Sequence, residues 1–449
     1  MGRRQPLPPG AGKTVVRYFL DSFGCAKNQV DSETMMALLN SASWDAAADP
    51  GDADLIIINS CGFIQSAKEQ SLRALLTHRK AYPDKKILFS GCLAQRYGKD
   101  LSQSLPEADM LIGNQDADAL GKALAALFPQ SPLPAAPPPG TRPLLSPAGS
   151  GYVKISEGCN NRCAFCAIPR IRGPLISRPI PSVLEECAQL LSRGIKELCL
   201  VGQDAASYGA EKSGGGSSLP ALLKALSGLA GPFWARVLYI HPDNFPLAML
   251  ELFQQDRRFL PYFDLPFQHG SGRILRAMNR RGDRKTYLAL IDRIRSALPD
   301  AVIRSTFLTG FPGERERDFQ ALLDFQKDAR LDWAGCFAYS REEDTPAYTL
   351  GNRVPQRLAL ARKSRVEARQ VPITEQRLER FIGRAMTAIV EAPLALGGGK
   401  TCYLGRLFCH APEVDGGVVI SSETALSPGS FVETTVTGRS GFDLTAAVR

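Results

Sequence analysis

Residues 152–169, YVKISEGCNNRCAFCAIP, join an apolar strand pattern to three closely spaced cysteines. Cys159, Cys163 and Cys166 form a C-x-x-x-C-x-x-C pattern in the predicted loop after the strand. A loop with this spacing can wrap three thiolates around one [4Fe–4S] cube and leave the fourth iron free for a substrate. Zinc is the main alternative, but it requires a fourth ligand and no other His or Cys lies near in sequence. The spacing therefore favours an iron–sulfur cluster with one open iron.

The sequence after this motif alternates between strand and helix patterns. The strand patterns are ELCLVGQD, ARVLYIHP, FDLPFQHG, VIRSTFLTGFPGE and WAGCFAYS. Six or seven β/α units over about 200 residues predict an α/β fold, a complete or partial (β/α) barrel, with its active site at the carboxyl ends of the strands. A charged helical stretch, residues 357–381, follows the last unit.

The N-terminal residues 13–128 show the same alternation and predict a small doubly wound parallel sheet. Cys25, Cys61 and Cys92 each lie just after one of its three strongest strand patterns. Loops beyond the carboxyl ends of such strands converge on one crevice, so the three thiols could meet in space. Three buried structural cysteines are the alternative, because free cysteine is commonly buried. The position of each cysteine beside a glycine at a strand end favours a shared site.

Two segments complete the predicted domain organisation. Residues 129–150 hold eight prolines in 22 positions and predict a semi-rigid linker between the N-terminal domain and a barrel domain at 151–375. Residues 376–449 consist of short β patterns separated by Gly and Pro, which predict a small antiparallel β-barrel.

Composition limits the classes of function. The 449-residue chain has eleven cysteines, no apolar run of the ~20 residues that a membrane span needs, and no apolar segment after Arg3 and Arg4. We therefore expect a cytoplasmic protein without a disulfide framework. Residues 151–375 carry 32 basic and 24 acidic residues, whereas residues 13–128 carry 12 and 14 and residues 376–449 carry 7 of each. The central segment is best suited to an acidic partner, although solubility explains its charge equally well.

The cysteine motif resembles the signature of the radical S-adenosylmethionine (SAM) enzymes, in which an aromatic residue, here Phe165, precedes the third cysteine. The resemblance implies that the open iron binds the amino and carboxylate groups of SAM. Reductive cleavage then yields methionine and a 5′-deoxyadenosyl radical, which abstracts hydrogen from an unactivated carbon. It also implies that Gly202 and Gln203 in LVGQDAASYG bind the cofactor, although the usual GGE form is absent. No catalytic residue beyond the cluster ligands is implied.

Almost the whole chain, apart from the first dozen residues and the linker, is similar to the methylthiotransferases and among them to the RimO branch. The similarity lies in GCAKNQVDSE, INSCGFI, GCLAQRY, KISEGCNNRCAFCAIPRIRG, GQDAASYG, LPFQHGSGRILRAMNRRG, GFPGE and YSREEDTPA. It implies that Cys25, Cys61 and Cys92 bind a second [4Fe–4S] cluster, which holds the sulfur to be transferred, and that the C-terminal barrel is TRAM-like. The expected reaction inserts a methylthio group at the β-carbon of an aspartate in small-subunit ribosomal protein twelve, free or on the ribosome. A flavodoxin or ferredoxin is the expected electron donor.

Two other functions stay open on the sequence. A tRNA adenosine methylthiotransferase would share every cofactor, but the charge balance of residues 376–449 favours a protein surface over RNA as the target. A two-cluster electron carrier or a non-catalytic iron–sulfur RNA-binding module is less well supported, because a carrier gains from four ligands to each cluster.

The remaining polar and sulfur-containing motifs have plainer interpretations. We expect the other five cysteines to be core thiols. His241 and His269 lie at predicted strand ends, where they either handle substrate or are structural. Residues 310–314, GFPGE, form either a turn or a second layer of contacts to the cofactor. The basic residues of 280–285 either face the ribosome or form an exposed helix start.

Overall fold

The chain divides into two units in the computed structural model, which describes residues 15–114, 117–132, 134, 140–212, 214, 216–395 and 401–449. One unit comprises the described residues up to 138 except 25–30 and 63–66, and the other comprises those two short segments and the chain from 139 onwards. The expected linker therefore lies partly, and the first 14 residues lie wholly, outside the described residues. Among the described helices, none is long and apolar enough to cross a membrane.

The first unit contains a five-stranded sheet whose described pairings are all parallel, in the order β2-β1-β3-β4-β5. The elements are β1 (Arg17–Ser22), α1 (Ala26–Ser41), β2 (Asp45–Ala46), β3 (Leu55–Ser60), α2 (Gln65–Ala81), β4 (Lys86–Gly91), α3 (Cys92–Ser104), β5 (Met110–Leu111) and α4 (Ala117–Leu127). The central strands β3 and β4 are continuous apolar runs because helices cover both faces of the sheet. The predicted doubly wound parallel sheet is confirmed, while the two-residue edge strand β2 was not predicted.

The second unit begins with a six-stranded parallel sheet in the order β13-β12-β11-β10-β9-β6. Its elements are β6 (Ser150–Lys154), β7 (Ser156–Glu157), α5 (Ile168–Arg172), β8 (Ile176–Ser177), α6 (Ile180–Ser192), β9 (Glu197–Val201), α7 (Leu219–Leu226), β10 (Trp234–Val237), α8 (Met249–Gln255), β11 (Phe259–Asp264), α9 (Gly272–Ala277), α10 (Arg284–Ala297), β12 (Val302–Thr309), α11 (Glu316–Ala329), β13 (Trp333–Ala338) and α12 (Gln356–Glu379). The sheet is open from β13 to β6, so the partial form of the predicted barrel is the correct one.

A closed five-stranded barrel follows α12. Its strands are β14 (Ala385–Leu394), β15 (Thr401–Arg406), β16 (Val418–Ser422), β17 (Phe431–Ser440) and β18 (Asp443–Val448). The predicted barrel is present, but the expectation of purely antiparallel pairing is wrong because β16 and β18 are parallel. Five strands cannot alternate in direction around a closed circle, so one adjacent pair must run the same way.

The loop between β15 and β16 packs on the inner face of the parallel sheet. The Trp333 ring nitrogen donates to the carbonyl of Cys409, and the Tyr262 hydroxyl donates to Asp415 at 2.5 Å. The Glu197 carboxylate, fully buried, pairs with Arg236 at 2.8 Å and with Arg406 at 2.6 Å. This buried charge network fixes the C-terminal barrel to the sheet within the second unit.

Candidate functional site

The three cysteines of the C-x-x-x-C-x-x-C motif lie in one loop between β7 and α5, just beyond the carboxyl end of the edge strand β6. The loop folds back on itself, since the Cys159 amide donates to the carbonyl of Gly173 at 3.1 Å. Gly158 has φ +70, and a Cβ there would overlap the carbonyl of Pro174. Only glycine meets both conditions at this position. We call Cys159, Cys163 and Cys166 the radical SAM cysteines.

Each of these thiols is partly buried, and two of them have a polar side chain close to the sulfur. The Asn161 side-chain amide lies 3.4 Å from the sulfur of Cys159, and Nε2 of His241 lies 3.9 Å from the sulfur of Cys163. Burial raises the pKa of Cys159 to about 11 and that of Cys166 to about 12, and the charges of the other thiols add to the effect at Cys166. The metal-free thiols are therefore protonated at neutral pH, and binding iron would release their protons.

The residues around the radical SAM cysteines fit a [4Fe–4S] cluster. Within the described residues, no three His, Cys, Asp or Glu side chains are arranged to hold one metal ion. A cube presents its irons at separate corners, so its three thiolates do not converge on one point. Arg280 is 5% exposed, and its Nε and Nη1 atoms have no hydrogen-bond partner in the described part of the chain. Its charge acts on Cys163, which makes it a donor suited to an anionic cluster or ligand.

Gly202 and Gln203 follow β9 directly and lie beside the β7 segment. Gln203 donates from Nε2 to Glu157 at 2.6 Å, while its buried Oε1 has no partner among the described residues. A Cβ at Gly202 would lie 2.6 Å from the hydroxyl of Ser156, which is also buried and unpartnered. These free polar atoms fit a polar ligand close to the cysteine loop. Phe165 packs in an apolar cluster, with the Arg280 guanidinium 6.0 Å from its ring centroid.

Glu157 organises this side of the site, and sequence reasoning did not single it out. Its carboxylate accepts hydrogen bonds from Lys154 at 2.7 Å, from Arg172 at 3.1 Å and from Gln203. Burial raises the pKa of Glu157, but the charges of Lys154 and Arg172 lower it by more, so it lies below its usual range. Arg172 also donates to Asn28 at 3.1 Å. Nothing in the spacing of these residues reveals that they meet.

A second polar group forms around Asp204, which follows Gln203. Its carboxylate accepts from Asn161 at 2.7 Å, from Asn244 at 2.9 Å and from the backbone amide of His241 at 3.1 Å. The contacts connect the cysteine loop to the carboxyl ends of β9 and β10. Burial lowers the pKa of His241 to about 4, so its ring is neutral at physiological pH.

The other motifs make contacts within the second unit. His269 is fully buried, with Nδ1 accepting from the amide of Ser271 at 2.9 Å. The Glu314 carboxylate in GFPGE accepts from the Gly310 amide at 2.7 Å and pairs with Arg362. Among the basic residues at 280–285, Arg280 is buried and Arg281 donates to the Asp243 carbonyl at 2.9 Å, whereas Arg284 and Lys285 are exposed at the start of α10. The remaining cysteines are all buried, namely Cys187, Cys199, Cys336, Cys402 and Cys409.

Cys61 and Cys92 lie side by side at the carboxyl ends of the neighbouring strands β3 and β4, where Ser60 pairs with Gly91. A Cβ at Gly62 would lie 2.8 Å from the carbonyl oxygen of Cys92, so the two loops are in close contact. The Asn114 side-chain amide lies 3.3 Å from the sulfur of Cys92. Both thiols therefore belong to one edge of the sheet.

Cys25 follows β1, the strand on the other side of β3, and is exposed. Residues 25–30 group with the second unit. Desolvation raises the pKa of the Cys25 thiol. The charges of Lys27 and Arg172 and hydrogen bonds from the amides of Asn28 and Lys27 lower this pKa by more. A lowered thiol pKa makes the thiolate, the form that binds iron, easier to form. We call Cys25, Cys61 and Cys92 the strand-end cysteines; their donor chemistry, three thiols behind three adjacent parallel strands, fits an iron–sulfur cluster.

Three family models match the chain. They are the uncharacterized protein family UPF0004 over residues 17–113, the radical SAM superfamily over residues 153–325 and the TRAM domain over residues 382–448.

Curated relatives match over nearly their full length. The ribosomal protein uS12 methylthiotransferase RimO of Treponema denticola is 43% identical, with 95% of this chain and 99% of the relative aligned. The protein of the same name from Pelotomaculum thermopropionicum is 38% identical, with 96% and 98% aligned.

Solved structures of other radical SAM enzymes share the fold. The radical SAM methyltransferase TsrM from Kitasatospora setae, with cobalamin and a [4Fe–4S] cluster bound, superposes with a TM-score of 0.55 at 12% identity over 74% of each chain. The cobalamin-dependent radical enzyme OxsB superposes with a TM-score of 0.50 at 12% identity over 79% of this chain and 56% of that chain. At such identities the likeness concerns the fold alone.

Proposed function

The chain belongs to the RimO family of ribosomal protein uS12 methylthiotransferases, and we propose that it attaches a methylthio group to the β-carbon of an aspartate in uS12, the small-subunit protein twelve. It is a radical SAM enzyme. The observation that carries the proposed reaction is the presence of two sets of three thiols at the carboxyl ends of parallel strands. One set lies beside unpartnered polar atoms suited to SAM, and the other follows three adjacent strands of the first unit.

The radical SAM cysteines are proposed to hold the cluster that reacts with SAM. When bound, this cluster supplies the electron that cleaves SAM and so provides the radical that removes hydrogen from an unactivated carbon. The unpartnered Oε1 of Gln203 and hydroxyl of Ser156 are available for the amino and carboxylate groups of SAM. Gly202 leaves room for that approach, and Phe165 borders the site with its ring. Glu157 keeps Gln203 oriented through their 2.6 Å hydrogen bond.

The strand-end cysteines are proposed to hold a second [4Fe–4S] cluster, which supplies the sulfur that is transferred. The chain's own contribution is positioning, since the target carbon, SAM and the sulfur must come within bonding reach in a dry site. Arg172 contributes by joining Glu157, next to the radical SAM cysteines, to Asn28, three residues after Cys25.

Partners beyond uS12 follow from the same chemistry. A one-electron donor such as flavodoxin or ferredoxin is proposed to reduce the radical SAM cluster, and the reaction is proposed to take place in the cytoplasm, on free uS12 or on the ribosome. The basic excess of residues 151–375 suits such an RNA-rich environment.

The test is an anaerobic reaction of reconstituted enzyme, SAM and reductant with purified uS12 or a tRNA pool, at about 50 and 200 mM salt. The proposal predicts formation of 5′-deoxyadenosine and of a methylthio group on uS12. Between the two salt concentrations, the affinity of the enzyme for uS12 should fall far less than the roughly 10³-fold expected for six or more phosphate contacts. A modified tRNA adenosine with unmodified uS12 would support the tRNA enzyme instead. An electron carrier would form no 5′-deoxyadenosine.

A further inference from the structure

The cysteine loop and the segment that contacts it contain no acidic residue. Residues 158–184 and residues 265–282 hold four arginines each and neither Asp nor Glu. They contain the whole basic excess of residues 151–375, because the rest of that range carries 24 basic and 24 acidic residues. The two segments touch, since the Asn279 side chain donates to the carbonyl of Arg162 at 2.7 Å. The excess charge is therefore concentrated at the cysteine loop, whereas a charge that served solubility alone could be spread over the surface.

Four of the eight arginines are exposed, and we call them the basic patch: Arg162, Arg170, Arg276 and Arg281. A guanidinium stays charged throughout the physiological pH range. In the part of the chain that the structure describes, the side chains of the first three make neither an ion pair nor a hydrogen bond. Arg281 donates to two uncharged groups, the Asp243 carbonyl at 2.9 Å and Oδ1 of Asn244 at 2.6 Å. The charge of the patch is therefore available to a partner.

The carboxylates close to the patch bind other groups. Asp243 accepts from the backbone amide of Arg281 at 2.8 Å and from the hydroxyl of Tyr287 at 2.9 Å. Asp283 caps the start of α10, where it accepts from the amide of Thr286 at 2.8 Å. Neither carboxylate pairs with an arginine side chain of the patch, so an acidic partner would find the positive charge unbalanced.

The patch lies next to the radical SAM cysteines. Arg162 immediately precedes Cys163, and the three thiols are partly exposed. The unpartnered atoms suited to SAM belong to Ser156 in β7 and Gln203 after β9, whereas Arg276 lies in α9, between β11 and α10. A protein on the patch would therefore reach the cysteine loop from a part of the fold that the proposed SAM contacts do not use.

We infer that the basic patch is the docking surface for an acidic one-electron carrier protein, which reduces the cluster proposed at the radical SAM cysteines. The inference rests on the proposed function, which requires that electron. In the encounter one electron passes from carrier to cluster, so the carrier is oxidised, the cluster is reduced, and no bond forms or breaks. Opposite charges speed such brief encounters and fix the orientation of the partners. RNA phosphates would also be attracted, but an RNA has no need to lie against the loop that bears the cluster ligands, whereas an electron donor does.

The test compares binding and reduction in full-length, reconstituted enzyme. Oxidised flavodoxin and oxidised ferredoxin, both acidic carriers, are titrated in turn by calorimetry at about 10 and 200 mM salt, which changes the screening of charge severalfold. The variants are Arg162→Gln with Arg276→Gln, and the same two positions changed to Lys. The matched control is Arg293→Gln with Arg369→Gln, which removes two exposed, unpaired arginines in the middle of α10 and α12. Formation of 5′-deoxyadenosine is measured with each reduced carrier and with photoreduced 5-deazariboflavin, a small donor that needs no docking surface.

We expect the Arg162→Gln, Arg276→Gln variant to bind its carrier about tenfold more weakly than wild type at low salt, while the Lys variant and the matched control stay within about threefold. Carrier-driven formation of 5′-deoxyadenosine should fall with the binding, and formation driven by 5-deazariboflavin should be unchanged. Equal binding by the patch variant and the matched control would overturn the proposal. So would carrier binding by wild type that does not weaken with salt, a result that stands even if the patch variant fails to fold.

Two further measurements separate this proposal from its neighbours. Isolated small ribosomal subunits are titrated in the same way: a patch variant that binds them more weakly but binds both carriers normally would assign the patch to RNA and overturn the proposal. Methylthio transfer to uS12 by wild type is measured with each carrier. Its absence would count against the proposed function, whereas transfer by a patch variant that binds and uses the carriers normally would overturn only the docking surface.

Discussion

Replacing Glu157 by Gln should weaken both the fold and SAM binding. Glu157 accepts from Lys154, Arg172 and Gln203, and the Arg172 side chain is 2% exposed. Removing the charged acceptor of a largely buried ion pair costs about 3 kcal/mol. For a unit of this size that corresponds to a fall in melting temperature of about 4 °C. Since the pKa of Glu157 lies below its usual range, this contribution is present above about pH 4.3 and is lost as the pH falls further.

The effect on SAM comes from Gln203, which would exchange a charged acceptor for a neutral one. A charge-assisted hydrogen bond exceeds a neutral one by about 1 kcal/mol, so the KM for SAM should rise about fivefold. Glu186→Gln is the matched control, since Glu186 is buried and likewise pairs with two cations, Arg142 and Arg178. It should lower the melting temperature similarly and leave the KM for SAM unchanged.

Calorimetry at pH 7.5 and 4 and the rate of 5′-deoxyadenosine formation against SAM concentration measure both effects. An unchanged melting temperature in Glu157→Gln would refute the argument from the buried pair. A melting temperature lowered as in Glu186→Gln, with an unchanged KM for SAM, would refute the positioning of Gln203 by Glu157.

Three further predictions concern the clusters and the C-terminal barrel. Replacing the radical SAM cysteines by alanine should lower the iron content from about eight to about four per chain and abolish 5′-deoxyadenosine formation; continued SAM cleavage would contradict their assignment. Replacing the strand-end cysteines should leave about four irons and intact SAM cleavage while stopping methylthio transfer, and a folded variant unable to bind SAM would count against this division. Burial lowers the pKa of His410 to about 3, so below about pH 6.5 the unfolded chain binds a proton at this residue that the folded chain does not bind. Wild type should therefore lose up to about 1.4 kcal/mol of unfolding free energy per pH unit as the pH falls below about 6.5. His410→Gln should flatten the fall in melting temperature between about pH 7 and 5, and equal slopes in the two proteins would show that burial of His410 is not the cause.

The sequence was sufficient to predict the fold where a local residue pattern determines the structure. Continuous apolar runs identified β3 and β4, and parallel topology then required Cys61 and Cys92 to share one edge of the sheet. The short strand β2 and the last strand β18 escaped prediction because their residues form no distinctive apolar run. The parallel pair in the C-terminal barrel could not be read from propensity, since it follows from closing an odd number of strands.

The polar part of the site depends on tertiary contacts that sequence does not encode locally. Arg280 stands in a basic run typical of a solvent-exposed helix start, yet it is buried near Phe165. Lys27 and Tyr239 are likewise far apart in sequence, yet the Lys27 ammonium lies 3.2 Å from the centroid of the Tyr239 ring. Glu157 and Gln203 are far apart in sequence and meet because β7 and the end of β9 lie side by side. Distant pairs of this kind require the fold before they can be recognised.

The central claim is that this chain modifies an aspartate of uS12, and mass spectrometry of uS12 tests it most directly. Ribosomal proteins and tRNA would be isolated from cells with and without the gene, and from cells that carry the gene with the radical SAM cysteines replaced by alanine. The account predicts a methylthio group in place of one hydrogen on the β-carbon of one uS12 aspartate, present only with the intact gene, and unchanged tRNA. Unmodified uS12 in all three strains, together with a methylthio adenosine in tRNA that depends on the gene, would contradict it.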